Sequence, residues 1–123
     1  MLDESDEHEI LLHCSKQTSK LSVTHKTFVP KCKSIIQEYL KQNNKEVDAS
    51  TMDQLAESCR VDKACVLLYN DTLIYLIDHY SNKNLSITKD IIEETTMRFA
   101  HKYNIQGEYI QSILNRMIRK FQI

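Results

Sequence analysis

Glycine and proline are almost missing from this chain, and their scarcity restricts its fold more than any other feature. Each occurs once in 123 residues, as Gly107 and Pro30. These two residue types disfavour a continuing helix most strongly. Apolar residues meanwhile recur at the three- and four-residue spacing that lines one side of a helix. The sequence therefore predicts an all-α fold, which we expect to be a compact six-helix globular bundle around a central hydrophobic helix.

Composition and charge limit the classes of function. Sixteen basic residues against seventeen acidic ones give a formal net charge of −1, so no overall field attracts nucleic acid or an acidic membrane. The length suits one domain with its own core, and we expect residues 1–123 to form a single helical domain. The longest apolar run, residues 64–68, is too short to span a bilayer, and the acidic first residues do not form a secretory signal. These features predict a cytoplasmic protein without membrane insertion.

Cap residues and apolar spacing divide the chain into helices. We expect a short first helix from Ser5 or Asp6, a loop over residues 15–27, a second helix from Thr27 and a third capped by Ser50. A fourth helix over residues 63–80 follows Asp62 as its cap, a fifth follows Ser86 and ends near Asn104, and a sixth begins at Gly107. No segment of about 30 to 45 residues repeats itself, so stacked helical repeats are not expected.

The fourth predicted helix is the most hydrophobic, and we expect it at the centre of the bundle. Apolar side chains occupy two sides of it: Cys65, Val66, Tyr69, Leu73, Leu76, Ile77 and Tyr80 on one broad face, and Leu67 and Ile74 nearly opposite. Only Asn70, Asp71 and Asp78 form a polar strip. A helix that is apolar around most of its circumference is normally buried. We therefore expect neighbouring helices to cover it.

No group of residues in the sequence matches a catalytic or metal-binding pattern. The cysteines each fall on the apolar side of a predicted helix, where a free thiol behaves as a small hydrophobic group; they are Cys14, Cys32, Cys59 and Cys65. Zinc sites are usually marked by close pairs of cysteine or histidine, which the sequence does not contain. A nucleophile, a base and oxyanion donors do not occur together either. We predict no enzyme activity, catalytic residue, cofactor, metal site, disulfide or small-molecule substrate.

The sixth predicted helix is the clearest amphipathic segment and the best candidate for a partner surface. Its apolar arc contains Tyr109, Ile110, Ile113, Leu114, Met117, Ile118 and Phe121. Such an arc either packs within its own domain or docks into a groove of another protein. If it docks, the expected partner-binding residues are Tyr109, Arg116, Met117, Arg119, Phe121 and Ile123.

Two other functions remain open beside binding to protein subunits. A small helical nucleic-acid-binding domain would contact phosphates through Lys102, Arg116, Arg119 and Lys120. However, cations at the end of a helix also stabilise its dipole, and the slightly acidic chain does not favour nucleic acid as a partner. A helical bundle that sequesters an amphipathic partner helix would present a groove for apolar residues spaced i, i+3 and i+7.

Several short segments, in the order of the helices, resemble a known family. The segments are residues 1–8 (Met-Leu, then acidic residues and Glu-His), residues 35–40, residues 56–61 (Ala to Val), residues 73–77 (Leu-Ile-Tyr-Leu-Ile) and residues 85–86 (Leu-Ser before an apolar helix). Together they resemble the helical N-terminal domain of the COMM-domain-containing proteins over about residues 1–115. The family's C-terminal COMM domain, with its tryptophan-bearing strand, has no counterpart in this sequence, which contains no tryptophan.

The resemblance implies a non-enzymatic scaffold subunit of the endosomal Commander assembly, which recycles membrane cargo. It also implies that the partners are COMM-family members and coiled-coil scaffold proteins, and that the protein associates with endosomes. No single functional residue carries over, because the family's pairing motif has no counterpart here. The function predicted from the sequence is thus a protein-interaction module within an endosomal cargo-recycling scaffold.

Overall fold

The computed structural model describes residues 2–123, and every regular element in that range is helical. Five α-helices occur in the order α1 (Glu4–Gln17), α2 (Phe28–Gln42), α3 (Ala49–His79), α4 (Lys89–Tyr103) and α5 (Gly107–Lys120), with a short 3₁₀ helix at Ser81–Lys83. The all-α prediction is confirmed for these residues. Over the same range, no helix combines the length and the hydrophobicity that crossing a membrane requires. Met1, the first residue of the segments that resemble the COMM family, lies outside the described residues.

Contacts between residues divide the chain into two compact units, Met1–Lys63 and Ala64–Ile123. The first unit contains α1, α2 and the first part of α3. The second unit contains the remainder of α3 together with α4 and α5. One domain over residues 1–123 stays a prediction.

The prediction of six helices is wrong at one place in the chain. The third and fourth predicted helices are a single helix of 31 residues, α3, without a break at Val61 and Asp62. An aspartate inside a helix costs only up to about 0.7 kcal/mol relative to alanine. Val61 and Ala64 are both buried, and their burial favours continuing the helix through this point. Asp62 is exposed as a residue and is accommodated within α3 instead of capping a new helix.

Three helical segments enclose the core of the first unit. Asp3 caps α1 by accepting a hydrogen bond from the backbone N–H of Asp6, whose side chain accepts one from the N–H of Asp3. The helix continues to Gln17, past the predicted start of the loop, and the Thr18 hydroxyl then donates to the Cys14 carbonyl at 2.8 Å. The buried apolar residues of this unit are Ile10, Cys14, Val23, Phe28, Cys32, Ile36, Leu40, Leu55, Ala56, Cys59 and Val61.

In the second unit, one side of α3 packs against α4 and α5. The buried residues of α3 recur at every fourth position, as Ala64, Leu68, Thr72 and Leu76. Facing residues come from α4 (Ile92, Thr95, Thr96, Ala100 and Tyr103) and from α5 (Ile110, Ile113, Leu114 and Met117). The core of this unit therefore lies between three helical segments.

The opposite side of α3 is not covered, which corrects the expectation that neighbouring helices surround it. Val66 is 59% exposed and Ile74 is 57% exposed, although both were assigned to apolar faces of a buried helix. The physical reason is the number of helices, because α4 and α5 cover only the side that carries Leu68. The part of α3 in the second unit thus carries more apolar side chains than α4 and α5 cover.

Residues other than glycine supply the left-handed backbone after several helices, namely three asparagines and Gln122, whose φ angle is 56°. Asn44, Asn84 and Asn104 have φ angles of 55°, 58° and 51°. Glycine adopts this conformation most readily, and asparagine is among the few other residues that tolerate it. The chain can therefore end its helices sharply despite its single glycine.

Most predicted helix ends lie close to the observed ones. Pro30 is in the first turn of α2, where its missing N–H leaves no helical bond unmade, and Gly107 opens α5 as predicted. Two caps differ from the prediction. At α4 the hydroxyl of Thr88, and not that of Ser86, accepts the hydrogen bond from the N–H of Ile91. At the start of α3 the carboxylate of Asp48 accepts from the N–H of Thr51, whereas Ser50 lies inside the helix. Local capping signals therefore located the ends of these helices to within a few residues.

Candidate functional site

Helix α5 carries most of the residues that the sequence predicts to bind a partner. Its apolar arc faces inward, since Ile110, Ile113, Leu114 and Met117 are buried within the second unit. Met117 has no exposed surface at all. Core packing thus accounts for these four residues of the arc, and Met117, a member of the predicted partner-binding set, lies inside the unit.

The other predicted residues of this surface lie in two separate places. Tyr109, 40% exposed, is in the first turn of α5, whereas Arg119, Phe121 and Ile123 lie at the other end. There the N–H of Ile123 donates to the carbonyl of Ile118 at 3.1 Å, which folds the last residues back towards the helix. With a rise of about 1.5 Å per residue, Tyr109 is roughly 18 Å from Phe121 along the helix. The structure therefore brings together the C-terminal members only.

The basic residues of α5 have structural roles. The guanidinium of Arg116 lies 4.3 Å from the centroid of the Tyr69 ring on α3, a cation–π contact within the second unit. Arg119 and Lys120 occupy the last turn, where positive charge stabilises the helix dipole. These positions are explained without a phosphate ligand.

The uncovered side of α3 forms a second candidate surface, which sequence reasoning missed. We call it the α3 outer face, and it consists of Val66, Leu67, Asn70, Leu73, Ile74 and Ile77. Val66, Asn70 and Ile74 are exposed, and the other three are partly exposed. Val66, Asn70, Leu73 and Ile77 are spaced by four, three and four residues, which is the a/d spacing of a coiled-coil seam. The sequence contained this spacing, but the expectation that α3 is buried concealed it.

A shallow groove between α3 and α4 borders the outer face. Its volume is about 330 Å³, and its lining residues are Asp71, Ile74, Tyr75, Asp78, His79, Phe99 and Lys102. Tyr75 is held by an edge contact with Phe99 at 6.0 Å between centroids and by stacking on His79 at 4.2 Å. Asp71 accepts a hydrogen bond from the hydroxyl of Tyr103. The border of the outer face is therefore aromatic and carries two carboxylates.

A cluster of three cysteines in the core of the first unit is the other arrangement that the sequence did not predict. The Sγ atoms of Cys14 on α1, Cys32 on α2 and Cys59 on α3 all lie within 4.8 Å of one another. The Sγ atoms of Cys14 and Cys59 are 3.1 Å apart. All three side chains are buried. The cysteines are remote from one another in sequence, so spacing gives no signal, and only their shared position on inward stripes could have suggested the cluster.

A lysine lies beside the cysteine cluster. The ammonium of Lys63 donates to the carbonyl oxygens of Thr18 at 2.7 Å and of Leu21 at 2.5 Å. It also lies 5.3 Å from the centroid of the Phe28 ring. These contacts fix a positive charge near the buried sulfur atoms.

The three thiols shift one another's pKa values. The pKa of Cys59 is lowered by its hydrogen bonds with Cys14 and Cys32, with a smaller contribution from the charge of Lys63, and these effects outweigh burial. The pKa of Cys14 is raised by its hydrogen bonds with Cys32 and Cys59 and by burial. The hydrogen bonds within the cluster therefore shift the pKa values of Cys14 and Cys59 in opposite directions.

A cavity connects the cysteine cluster with the surface of the first unit. It has a volume of about 210 Å³ and is lined by His8, Leu11, Leu12, Ser15, Cys59 and Asp62. Cys59 is only 3% exposed, so a small ion reaches its sulfur more easily than a larger ligand does. The cluster is enclosed but has a route of access.

Comparisons with known proteins do not assign a function. No family model matches the chain, and neither a curated protein nor a solved structure matches it. The likeness to the COMM family therefore stays a prediction from the segments described above.

Proposed function

We propose that this chain is a non-enzymatic protein-interaction module that binds a partner through the α3 outer face. The observation that supports this proposal is the exposure of aliphatic side chains at Val66 and Ile74, on a helix whose other side is packed. Covering the exposed parts of these two side chains contributes roughly 1 kcal/mol each, given about 25 cal/mol per Å² of apolar surface. Leu67, Leu73 and Ile77 add further apolar surface on the same side.

The partner that fits this surface is an amphipathic helix with coiled-coil spacing. Asn70 occupies an a position in the middle of the apolar seam, where a polar residue selects a partner with a matching polar group and fixes the register. Asp71 and Asp78 border the face, so lysine or arginine at the flanking positions of the partner helix complements their charge. The face thus favours a helix with apolar a and d positions, one polar a position and basic flanks.

We further propose that the module belongs to an endosomal cargo-recycling, Commander-like scaffold. Coiled-coil scaffold proteins and COMM-family members are the partners that the sequence resemblance implies, and a heptad-spaced face is the kind of surface that a coiled-coil partner requires. In this proposal the protein is cytoplasmic and associates with endosomes through its partners. Three residues at and just beyond the C-terminal end of α5 form a second contact, namely Arg119 and Ile123, which are exposed, and Phe121, which is partly exposed.

The experiment compares three variants in affinity purification of the tagged chain from cells, followed by mass spectrometry. Ile74→Asp places a charge on the outer face, Phe121→Asp places one at the end of α5, and Met97→Asp is the control at an exposed apolar residue of α4. We expect wild type and Met97→Asp to recover endosomal scaffold subunits and Ile74→Asp to lose them at least tenfold. Recovery by Ile74→Asp at the wild-type level would refute docking on α3.

The Phe121→Asp variant separates the two proposed surfaces. A loss confined to Phe121→Asp moves the docking site to α5, whereas a partial loss in both variants supports two contacts. If wild type recovers no endosomal subunit, the scaffold assignment is wrong. Circular dichroism of each purified variant checks that the helices are retained.

A bundle that sequesters a short amphipathic helix is a second candidate, because the α3–α4 groove offers an aromatic wall. Tyr75 and Phe99 line this groove and keep their rings in contact. Tyr75→Ala should weaken binding of such a helix, while Val66→Asp, on the part of α3 that does not line the groove, should leave it unchanged. The reverse result favours the coiled-coil partner.

A further inference from the structure

The three buried cysteines of the first unit are placed as metal ligands are placed. They come from α1, α2 and α3, and each sulfur lies within 4.8 Å of the other two. Metal–sulfur bonds of about 2.3 Å put three ligating sulfur atoms about 4 Å apart. Shifts of less than about 1 Å, within the reach of side-chain adjustment, would make the three distances equal.

We propose that Cys14, Cys32 and Cys59 bind one soft d¹⁰ metal ion as a three-sulfur site within the first unit. Thiolate ligands select Cu⁺ and Zn²⁺ over the hard cations that prefer oxygen. The three ligands are carried by three packed helices, so the site is already formed in the folded chain. This proposal concerns a different unit from the α3 outer face and does not depend on it.

The charge around the cluster suits a bound metal thiolate. Three thiolates and Zn²⁺ carry a net charge of −1, as do two thiolates, one thiol and Cu⁺. The ammonium of Lys63, fixed by the carbonyls of Thr18 and Leu21, offsets that charge in the buried site. Binding releases the thiol protons to solvent, so affinity rises with pH.

The two ions differ in what they need beyond the three sulfur atoms. Cu⁺ is satisfied by three sulfurs, whereas Zn²⁺ takes a fourth ligand, which has to enter through the cavity beside Cys59. This cavity also provides the route by which either ion reaches the sulfur atoms. The carboxylate of Asp62 in its lining attracts a cation to the entrance.

The test uses the full chain, reduced and without oxygen, titrated separately with Zn²⁺ and Cu⁺ against a competing chelator of known affinity. We expect one equivalent of one ion to bind, with thiolate-to-metal charge-transfer absorption for Cu⁺, or cobalt d–d bands when Co²⁺ replaces Zn²⁺. The midpoint of thermal unfolding should rise, because the ion binds the folded chain. If neither ion binds, the proposal is overturned.

Alanine variants of the three cysteines identify the ligands. Cys14→Ala, Cys32→Ala and Cys59→Ala should each weaken binding about tenfold or more, whereas Cys65→Ala, on α3 in the second unit, should not change it. Circular dichroism checks that each variant is folded. If a variant is unfolded, the titration of the wild-type chain alone decides whether the metal site exists. Equal affinity in all four variants, or a disulfide between Cys14 and Cys59 with no metal binding after its reduction, would disprove the site.

Discussion

The two units of this chain use α3 in opposite ways. In the first unit, the chemically reactive groups lie inside, with three cysteines enclosed by α1, α2 and the start of α3. In the second unit the reverse holds, because α3 exposes Val66 and Ile74 while Leu68 and Leu76 face the core. The difference teaches that hydrophobicity in a helix does not specify burial. The number of neighbouring helices decides which apolar residues are covered.

The largest expected change in the free energy of unfolding comes from a comparison of the two sides of α3 within the second unit. Leu68→Ala removes a fully buried side chain and should lower the free energy of unfolding by about 2–5 kcal/mol. Ile74→Ala, on the outer face, should change it by no more than about 0.5 kcal/mol in the isolated chain. Urea unfolding followed by circular dichroism measures both values. Similar losses for the two variants would show that the outer face is covered.

A pH-dependent effect is expected in the second unit. Burial, together with the hydrogen bond to Asp71, raises the pKa of Tyr103 to about 12, above its ordinary value of 10.0. The folded state therefore favours the protonated phenol. This contribution is fully present below pH 10 and is lost as the pH rises towards 12, which lowers the free energy of unfolding by about 2 kcal/mol over that interval.

The control for this titration is Tyr103→Phe, which has no phenol proton to lose. Unfolding in urea at several pH values between 9 and 12 should show a steeper decline for wild type than for the variant. Parallel curves for the two proteins would mean that the Tyr103–Asp71 contact does not stabilise the second unit.

Helix caps allow a matched comparison of the two units. Asp3 caps α1 in the first unit, and Thr88 caps α4 in the second, each accepting a backbone N–H bond through its side chain. Replacing either residue with alanine should cost about 1 kcal/mol, since an N-cap side chain is worth about 0.5–2 kcal/mol. Amide hydrogen exchange should locate the loss of protection in α1 for Asp3→Ala and in α4 for Thr88→Ala. Loss in the other helix would contradict these cap assignments.

The smallest effect is expected for a surface ion pair of the first unit. Lys33 and Asp53 are 2.6 Å apart, but both side chains are substantially exposed. Exposed pairs contribute about 0.2–1 kcal/mol, so Lys33→Ala should lower the unfolding free energy by less than about 1 kcal/mol. The difference in unfolding free energy between wild type and Lys33→Ala should become smaller as salt is added. Urea unfolding at two ionic strengths measures this change.

Local signals in the sequence predicted the helical class and several helix ends. Gly107 and Asn104 affect the backbone only at their own and adjacent positions. In the structure, α4 ends directly before Asn104 and α5 begins at Gly107. The false break at Asp62 arose because a residue that favours caps is also tolerated inside a helix when its neighbours are buried. Capping preferences alone cannot distinguish these two situations.

The candidate sites depend on contacts between helices, which single-sequence patterns do not report. In the sequence, three cysteines on separate inward stripes resemble unrelated hydrophobic residues, because their proximity arises only when α1, α2 and α3 pack. The position of Met117 was ambiguous for the same reason, since an amphipathic arc looks alike whether it faces a core or a partner. Periodicity predicts which residues share one side of a helix. It does not predict whether that side contacts the protein's own core, solvent or a partner.

The asparagines at the helix ends affect the unfolded chain as well as the folded one. A glycine at Asn44, Asn84 or Asn104 would fit the same left-handed backbone, but it would give the denatured ensemble more conformations to occupy. With a side chain at each of these positions, ordering the turns removes less conformational freedom. A protein with one glycine thereby lowers the entropic cost of folding at the three places where an asparagine follows a helix.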